Sequence, residues 1–360
     1  MLKSALGIII SLFVLTVGTP ASQAYAATAA NKASAKKQAV KKSSAKRKTA
    51  TARRTGKAAT KVAKKSVTAR TGKQAEYRRV TYTPAAPALT AGDMAGLHMT
   101  PDPLDLKSNA ALVIDQATSQ VLFEKNSNIA LPIASLTKLM TALIVVEARQ
   151  NMDEVLEVTA DDIDREKNSS SRLRVGSQMT RANMLHIALM SSENRAASAL
   201  GRHYPGGLSA FVAAMNAKAK AIGMKDTYFV DSTGLSSRNV ASARDLARLV
   251  AAASQHPVIR EYSTDTKYAV DAGRGYQLNY MNSNRLVMSP DWEIDLQKTG
   301  YISEAGRCLV MQARIEGRPV VMVFLDSKGK YSRLGDASRI RKWIEISKPQ
   351  ALTLTAATQG

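Results

Sequence analysis

Apolar runs of strand length stand at both ends of the foldable part of this chain, and helical patterns fill the space between them. Residues 110–115 (Ala-Ala-Leu-Val-Ile-Asp) and 120–124 (Gln-Val-Leu-Phe-Glu) flank a Gln-Ala-Thr-Ser spacer, which predicts a hairpin. Residues 306–315 and 320–325 flank Glu-Gly-Arg-Pro and predict a second one. Between them, 180–190, 208–222 and 242–254 carry helical spacing, with Thr180 as an N-cap and Gly223 and Pro257 as stops. Residues 227–231 read as a strand entering a turn at Gly234, 167–175 as a surface strand or loop, and 267–300 as strands and loops. A last helix over 333–346 has Leu334, Ile340, Trp343 and Ile344 as its apolar stripe. Strands at the two ends with helices between them predict an α+β domain whose terminal strands share one antiparallel sheet.

The 360 residues carry a net charge of +22, unevenly spread. Residues 1–26 hold a lysine, an apolar run over 5–17 and then Ala24-Tyr25-Ala26, the pattern of a signal peptide cut after Ala26. The alternative, a retained membrane anchor, is disfavoured because the run falls short of the ~20 residues that a span needs. From 27 to 80 the composition is Ala, Lys, Arg, Ser and Thr, Glu76 is the only acid, and Arg-Thr-Gly-Lys occurs at 54–57 and 70–73. Such a segment cannot bury enough apolar surface to offset the entropy of ordering, so a disordered linker is expected. Pro84, Pro87 and Gly92 extend that linker to 103, leaving a domain at 104–348 and a short tail at 349–360.

The basic segment could neutralise nucleic-acid phosphates, but export argues against a specific nucleic acid. Anionic envelope polymers or lipid headgroups are the expected non-specific contacts, with a plain spacer as the alternative. Cys308 is the only cysteine, which excludes an internal disulfide and a cysteine-cluster metal site. The four histidines lack metal-ligand spacing.

Chemistry is concentrated in three short motifs. Ser135 and Lys138 open an apolar helical run, and at 3.6 residues per turn they share a face, as a nucleophile and its base must. Burial or a second cation would lower the pKa of Lys138, and the N–H groups of a helix start could stabilise an oxyanion. The same spacing occurs at Ser34–Lys37, Ser43–Lys46 and Ser327–Lys330, so the motif alone decides little. Ser192-Glu193-Asn194 lies between two apolar helices, where capping would also explain it. Lys298-Thr299-Gly300 precedes the last hairpin. The three occur in this order, 57 and 106 residues apart, a set known from penicillin-binding proteins and β-lactamases.

With residues 110–115, 211–216 (Phe-Val-Ala-Ala-Met-Asn) and 234–247 (Gly-Leu-Ser-Ser-Arg-Asn-Val-Ala-Ser-Ala-Arg-Asp-Leu-Ala), the chain resembles the low-molecular-mass penicillin-binding proteins of the D-alanyl-D-alanine carboxypeptidase and endopeptidase family. The resemblance implies a helical lobe on a five-stranded antiparallel sheet, and a reaction without metal or cofactor. It implies that Ser135 attacks a D-alanyl carbonyl, Lys138 takes and returns the proton, Ser192 passes it to the leaving amine, and Asn194 positions Lys138 and the substrate amide. It places Lys298, Thr299 and Gly300 at the substrate carboxylate, the oxyanion between the N–H groups of Ser135 and Tyr301, and Arg333 as a second carboxylate-binding group.

Peptidoglycan stem peptides, cross-links and β-lactams are the partners implied, in the periplasm or cell envelope. Only about 60 residues follow Gly300, whereas carboxypeptidase relatives add a β-rich domain, so an endopeptidase is expected and a carboxypeptidase is the alternative. A β-lactamase would need a deacylating glutamate after the middle motif, and Glu166 precedes it. A non-catalytic envelope-binding or penicillin-sensing module is the remaining class.

Overall fold

The structure is a computed structural model that describes residues 89–347. The expected signal peptide, residues 27–88 of the expected linker and the tail at 349–360 lie outside the described residues. In chain order, α1 (Ala91–Met94) precedes β1 (Ser108–Asp115) and β2 (Val121–Lys125), and β3 (Leu131–Pro132) leads through a 3-10 turn into α2 (Thr137–Glu147). The middle holds β4 (Val155–Glu157), β5 (Gln178–Thr180), α3 (Arg181–Met190), α4 (Asn194–Arg202), α5 (Gly207–Ala221), β6 (Val240–Ala241), α6 (Ala243–Ala253) and α7 (Pro257–Thr264). Then come β7 (Lys267–Asp271), β8 (Gln277–Met281), β9 (Glu293–Ile302), β10 (Gly306–Ile315), β11 (Arg318–Ser327) and α8 (Ser332–Ile346).

Five strands form one antiparallel sheet in the order β2-β1-β11-β10-β9, as an α+β fold requires. Burial on both faces explains why β1 and β11 read as unbroken apolar runs rather than alternating ones. Ala110, Leu112, Val321, Val323 and Leu325 face the helical lobe. Ala111, Val113, Val320, Met322 and Phe324 pack with Ala337, Ile340 and Ile344 of α8. Each of the larger side chains among them contributes about 1.5–3 kcal/mol by leaving water. Residues Thr137 to Val145 of α2 are all buried, so this helix is the axis of the lobe and not an amphipathic surface helix. Among the described residues no helix is long and apolar enough to cross a membrane.

Three expectations need correction. Residues 89–103 are ordered against the sheet and not linker: the Ala91 N–H donates to Glu304 O at 2.9 Å and Thr90 Oγ1 to Asp326 Oδ2 at 2.7 Å. Tertiary hydrogen bonds hold this polar stretch, which has too little apolar periodicity to reveal itself in sequence. Residues 227–231 form no strand, and only Tyr228 bridges, to Val240. Ser135 sits in the 3-10 turn Ala134–Leu136, one step before the α-helix that it was expected to open.

Candidate active site

The turn that carries Ser135 is strained and clasped from two sides. Ala134 has φ 49°, a left-handed conformation that costs a non-glycine residue about 1–3 kcal/mol unless its surroundings impose it. Gly234 imposes it from one side: at φ 80° its backbone lies so close that an added Cβ would stand 1.9 Å from Ala134 O. From the other side Gly300 of β9 approaches, and a Cβ there would meet Ile133 O at 3.0 Å and Ser135 N at 3.1 Å. Only glycine fits at 234, and a side chain at 300 would crowd the backbone of the serine turn. Gly234→Ala is therefore expected to lower stability by about 3 kcal/mol or more, seen as a lower urea midpoint, together with slower penicillin acylation.

Lys138, one turn on from Ser135, is fully buried by α2. Its Nζ lies 3.0 Å from Ser135 Oγ, 2.7 Å from Asn194 Oδ1 and 2.6 Å from Thr233 O. Burial lowers its pKa to about 7, partly opposed by the carboxylates of Asp231 and Glu193. Lys298 is also fully buried on β9, with Nζ 2.8 Å from Thr299 O. Its pKa is held well below the usual lysine value by burial, then by Lys138 and Arg333. These two lysines and Arg333 thus share one electrostatic neighbourhood.

The middle motif lies between α3 and α4. Ser192 has φ 64°, and with Asn194 it lines a cleft of about 380 Å3 whose other wall is Ser170, Ser171 and Arg172. Ser192 itself makes no hydrogen bond to Ser135 or Lys138. Thr299 Oγ1 is 2.7 Å from Ser283 Oγ. The Tyr301 side chain is exposed beneath the Arg307 guanidinium, 4.4 Å from its ring centre. Arg333 is buried at the start of α8, and its Nε and Nη1 have no hydrogen-bond partner. Of the other serine–lysine pairs, Ser327 is buried at the end of β11 and has no lysine amine within hydrogen-bond distance.

Several positioning residues were missed by sequence reasoning. Asp231 accepts the N–H groups of Thr233 and Gly234 at 2.6 Å each, and so fixes the carbonyl that Lys138 touches. Its Asp-Ser-Thr-Gly sequence is an Asx-turn signal that could have been read. Asn239 crosses from that turn to Thr137 Oγ1 at 3.1 Å. Glu193 caps α4 and also accepts from Ser171 Oγ at 2.6 Å, which ties the 167–175 loop to the cleft. Ser169 accepts the Asn194 amide at 2.9 Å, leaving the Asn194 oxygen for Lys138. Loop-to-motif contacts of this kind leave no periodic trace. The one thiol, Cys308, is buried and its pKa is pushed up to about 12, which removes it as a nucleophile.

Residues 97–329 match the profile of the peptidase family described as D-alanyl-D-alanine carboxypeptidase. The chain belongs to this family. Within it, a D-alanyl-D-alanine endopeptidase of Pseudomonas aeruginosa is 47% identical over 253 residues, covering 70% of this chain and 82% of that one. A D-alanyl-D-alanine endopeptidase of Escherichia coli is 44% identical over 270 residues, covering 75% and 86%. In three dimensions this family member is similar to penicillin-binding protein D2 of Listeria monocytogenes in its ampicillin-bound form, with a TM-score of 0.59 at 29% identity, over 67% of this chain and 98% of that one. The chain is a serine D-Ala-D-Ala peptidase.

Proposed function

We propose that this peptidase is a DD-endopeptidase that hydrolyses D-alanyl cross-links of peptidoglycan through an acyl-enzyme on Ser135. The observation that carries the reading is the buried Lys138 amine, with a pKa about 7, held 3.0 Å from Ser135 Oγ. A neutral amine has two N–H groups and one lone pair. Asn194 Oδ1 and Thr233 O take the two N–H groups, so the lone pair is left for the serine proton. Ser135 Oγ then attacks the D-alanyl carbonyl. The oxyanion rests between the Ser135 and Tyr301 N–H groups, where the absence of a side chain at Gly300 leaves room.

As the C–N bond breaks, Ser192 passes the proton to the leaving amine, and water later releases the acyl group with Lys138 again as base. Asn194 aligns the substrate amide. Lys298 and Thr299 hold the carboxylate beside the scissile amine, and Arg333 supports it with its unpaired donors. A β-lactam presents the same carbonyl and carboxylate and acylates the same serine, which is in keeping with the ampicillin-bound relative. The names of the 44–47% identical relatives favour cross-links over terminal D-alanine as the substrate. Signal-directed export to the periplasm or cell envelope would place the enzyme at that polymer, and the basic segment at 27–80 would add non-specific contacts to anionic polymers or lipid headgroups.

Purified cross-linked muropeptide dimers should be converted to monomers by the mature protein, as resolved by chromatography. Release of D-alanine from pentapeptide monomers with dimers left intact would instead make it a carboxypeptidase.

A further inference from the structure

A pocket of about 670 Å3 opens at the end of the sheet beside the Lys298-Thr299-Gly300 segment, where Tyr301, Arg307, Lys328 and Lys330 meet Asp93. Thr299 and Tyr301 project from the same face of β9, about 7 Å apart along the strand. The sheet register then sets Arg307 opposite Tyr301 and Ser327 opposite Arg307, so the pocket begins one side-chain step along β9 from Thr299, which is assigned to the substrate carboxylate.

Its charges are unbalanced. Lys328 is paired with Asp93 at 2.7 Å. Arg307 lies on the Tyr301 ring and Lys330 sits 5.4 Å from the centre of the Tyr331 ring, and among the described residues neither has a carboxylate at ion-pair distance. Arg333 is 9% exposed and has two nitrogens without partners. Its pKa is lowered by burial and then by Arg307, so the two guanidinium groups feel each other. Two unpaired cations held on aromatic faces form a site complementary to an anion that the chain itself does not supply. A leaving D-alanine carries one carboxylate, which Lys298 and Thr299 already receive. A leaving stem peptide carries that carboxylate and, further along, the one at its own end.

We propose that this pocket is a subsite for the second carboxylate of a leaving peptide, and that Arg307 and Lys330 set the preference for cross-linked substrate over terminal D-alanine. The proposal rests on the endopeptidase reading above. The test compares the wild type with Arg307→Gln/Lys330→Gln on three substrates: a muropeptide dimer, the same dimer with its acceptor-end carboxylate amidated, and a small D-Ala-D-Ala peptide. On the dimer the variant should raise KM about tenfold with kcat nearly unchanged. Amidation should cost the wild type a similar factor and the variant little, while the small peptide and fluorescent penicillin react alike with both. If the wild type cuts dimers and the variant cuts them equally well, or if the variant loses the small peptide in proportion, the subsite is wrong and the endopeptidase reading stands. If the wild type releases only terminal D-alanine, both fall.

Discussion

Replacing Ser135 with alanine is expected to lower cross-link cleavage by about 10^4-fold or more and to abolish covalent labelling by a fluorescent penicillin. The loss should fall on kcat, because the groups assigned to substrate binding, Asn194, Lys298, Thr299 and Arg333, are untouched, and KM should stay close to that of the wild type. Stability should change little, since the serine sits at the cleft surface and its hydroxyl meets only Lys138 Nζ. Mass spectrometry of the penicillin-treated protein gives the decisive reading. A wild-type adduct on a peptide without Ser135, or an adduct that persists in Ser135→Ala, would assign the nucleophile elsewhere, for instance to Ser192.

The second large effect is at Lys138. Lys138→Met keeps the side chain's length and apolar stem but removes the base, and acylation should fall by about 10^3-fold, within the range for loss of a general base. Lys138→Arg should be no better, because a guanidinium stays protonated at working pH and cannot accept the serine proton. That pair of variants separates the base role from a merely electrostatic one, which arginine would rescue. The pH profile gives the same test in the wild type. The neutral amine is the active form and its pKa is about 7, so acylation should rise as pH climbs through 7 and level off above it. At pH 6 it should be about tenfold below the plateau. A rate flat from pH 5 to 9 would sink the neutral-lysine mechanism. Folding of Lys138→Met is checked by its thermal midpoint. Relief of a buried amine offsets the loss of its bonds to Asn194 and Thr233, and a shift of about 5 °C or less is expected.

Much of the fold was legible because its strongest signals are local. The sheet strands that are buried on both faces gave uninterrupted apolar runs, and α3, α5, α6 and α8 lie within a residue or so of their sequence patterns. What escaped was what tertiary contact alone creates. Ala134 adopts a left-handed φ because Gly234 presses on it, and no pattern around Ala134 announces that. Residues 89–103 are ordered by the Asp326 carboxylate, the Asn109 amide and the Glu304 backbone carbonyl, two of them more than 200 positions away. At the site, the three motifs announced themselves by order and spacing. The shell that orients Lys138 comes from two separate stretches, the turn at Asp231 and Thr233 and the loop at Ser169, and apart from the Asx-turn signal at Asp231 it left no pattern, because these contacts form only when the loops meet the motifs. Glu193 was passed over since the motif leaves its central position loose, and its bond to Ser171 needs the folded loop.

Asp115 pairs with Val320, more than 200 positions away, and β9 reaches the rim of the sheet only through β10. A chain made from its amino end therefore carries Ser135 long before it carries the strand that completes the groove. Until 293–327 docks, the serine has neither the Tyr301 N–H nor the Lys298 charge beside it, and Ala134 is clasped from one side only. Pairing over such a separation is slow, because loop closure must precede any reward in contacts. The reaction groove is therefore complete only when the last hairpin has folded into place.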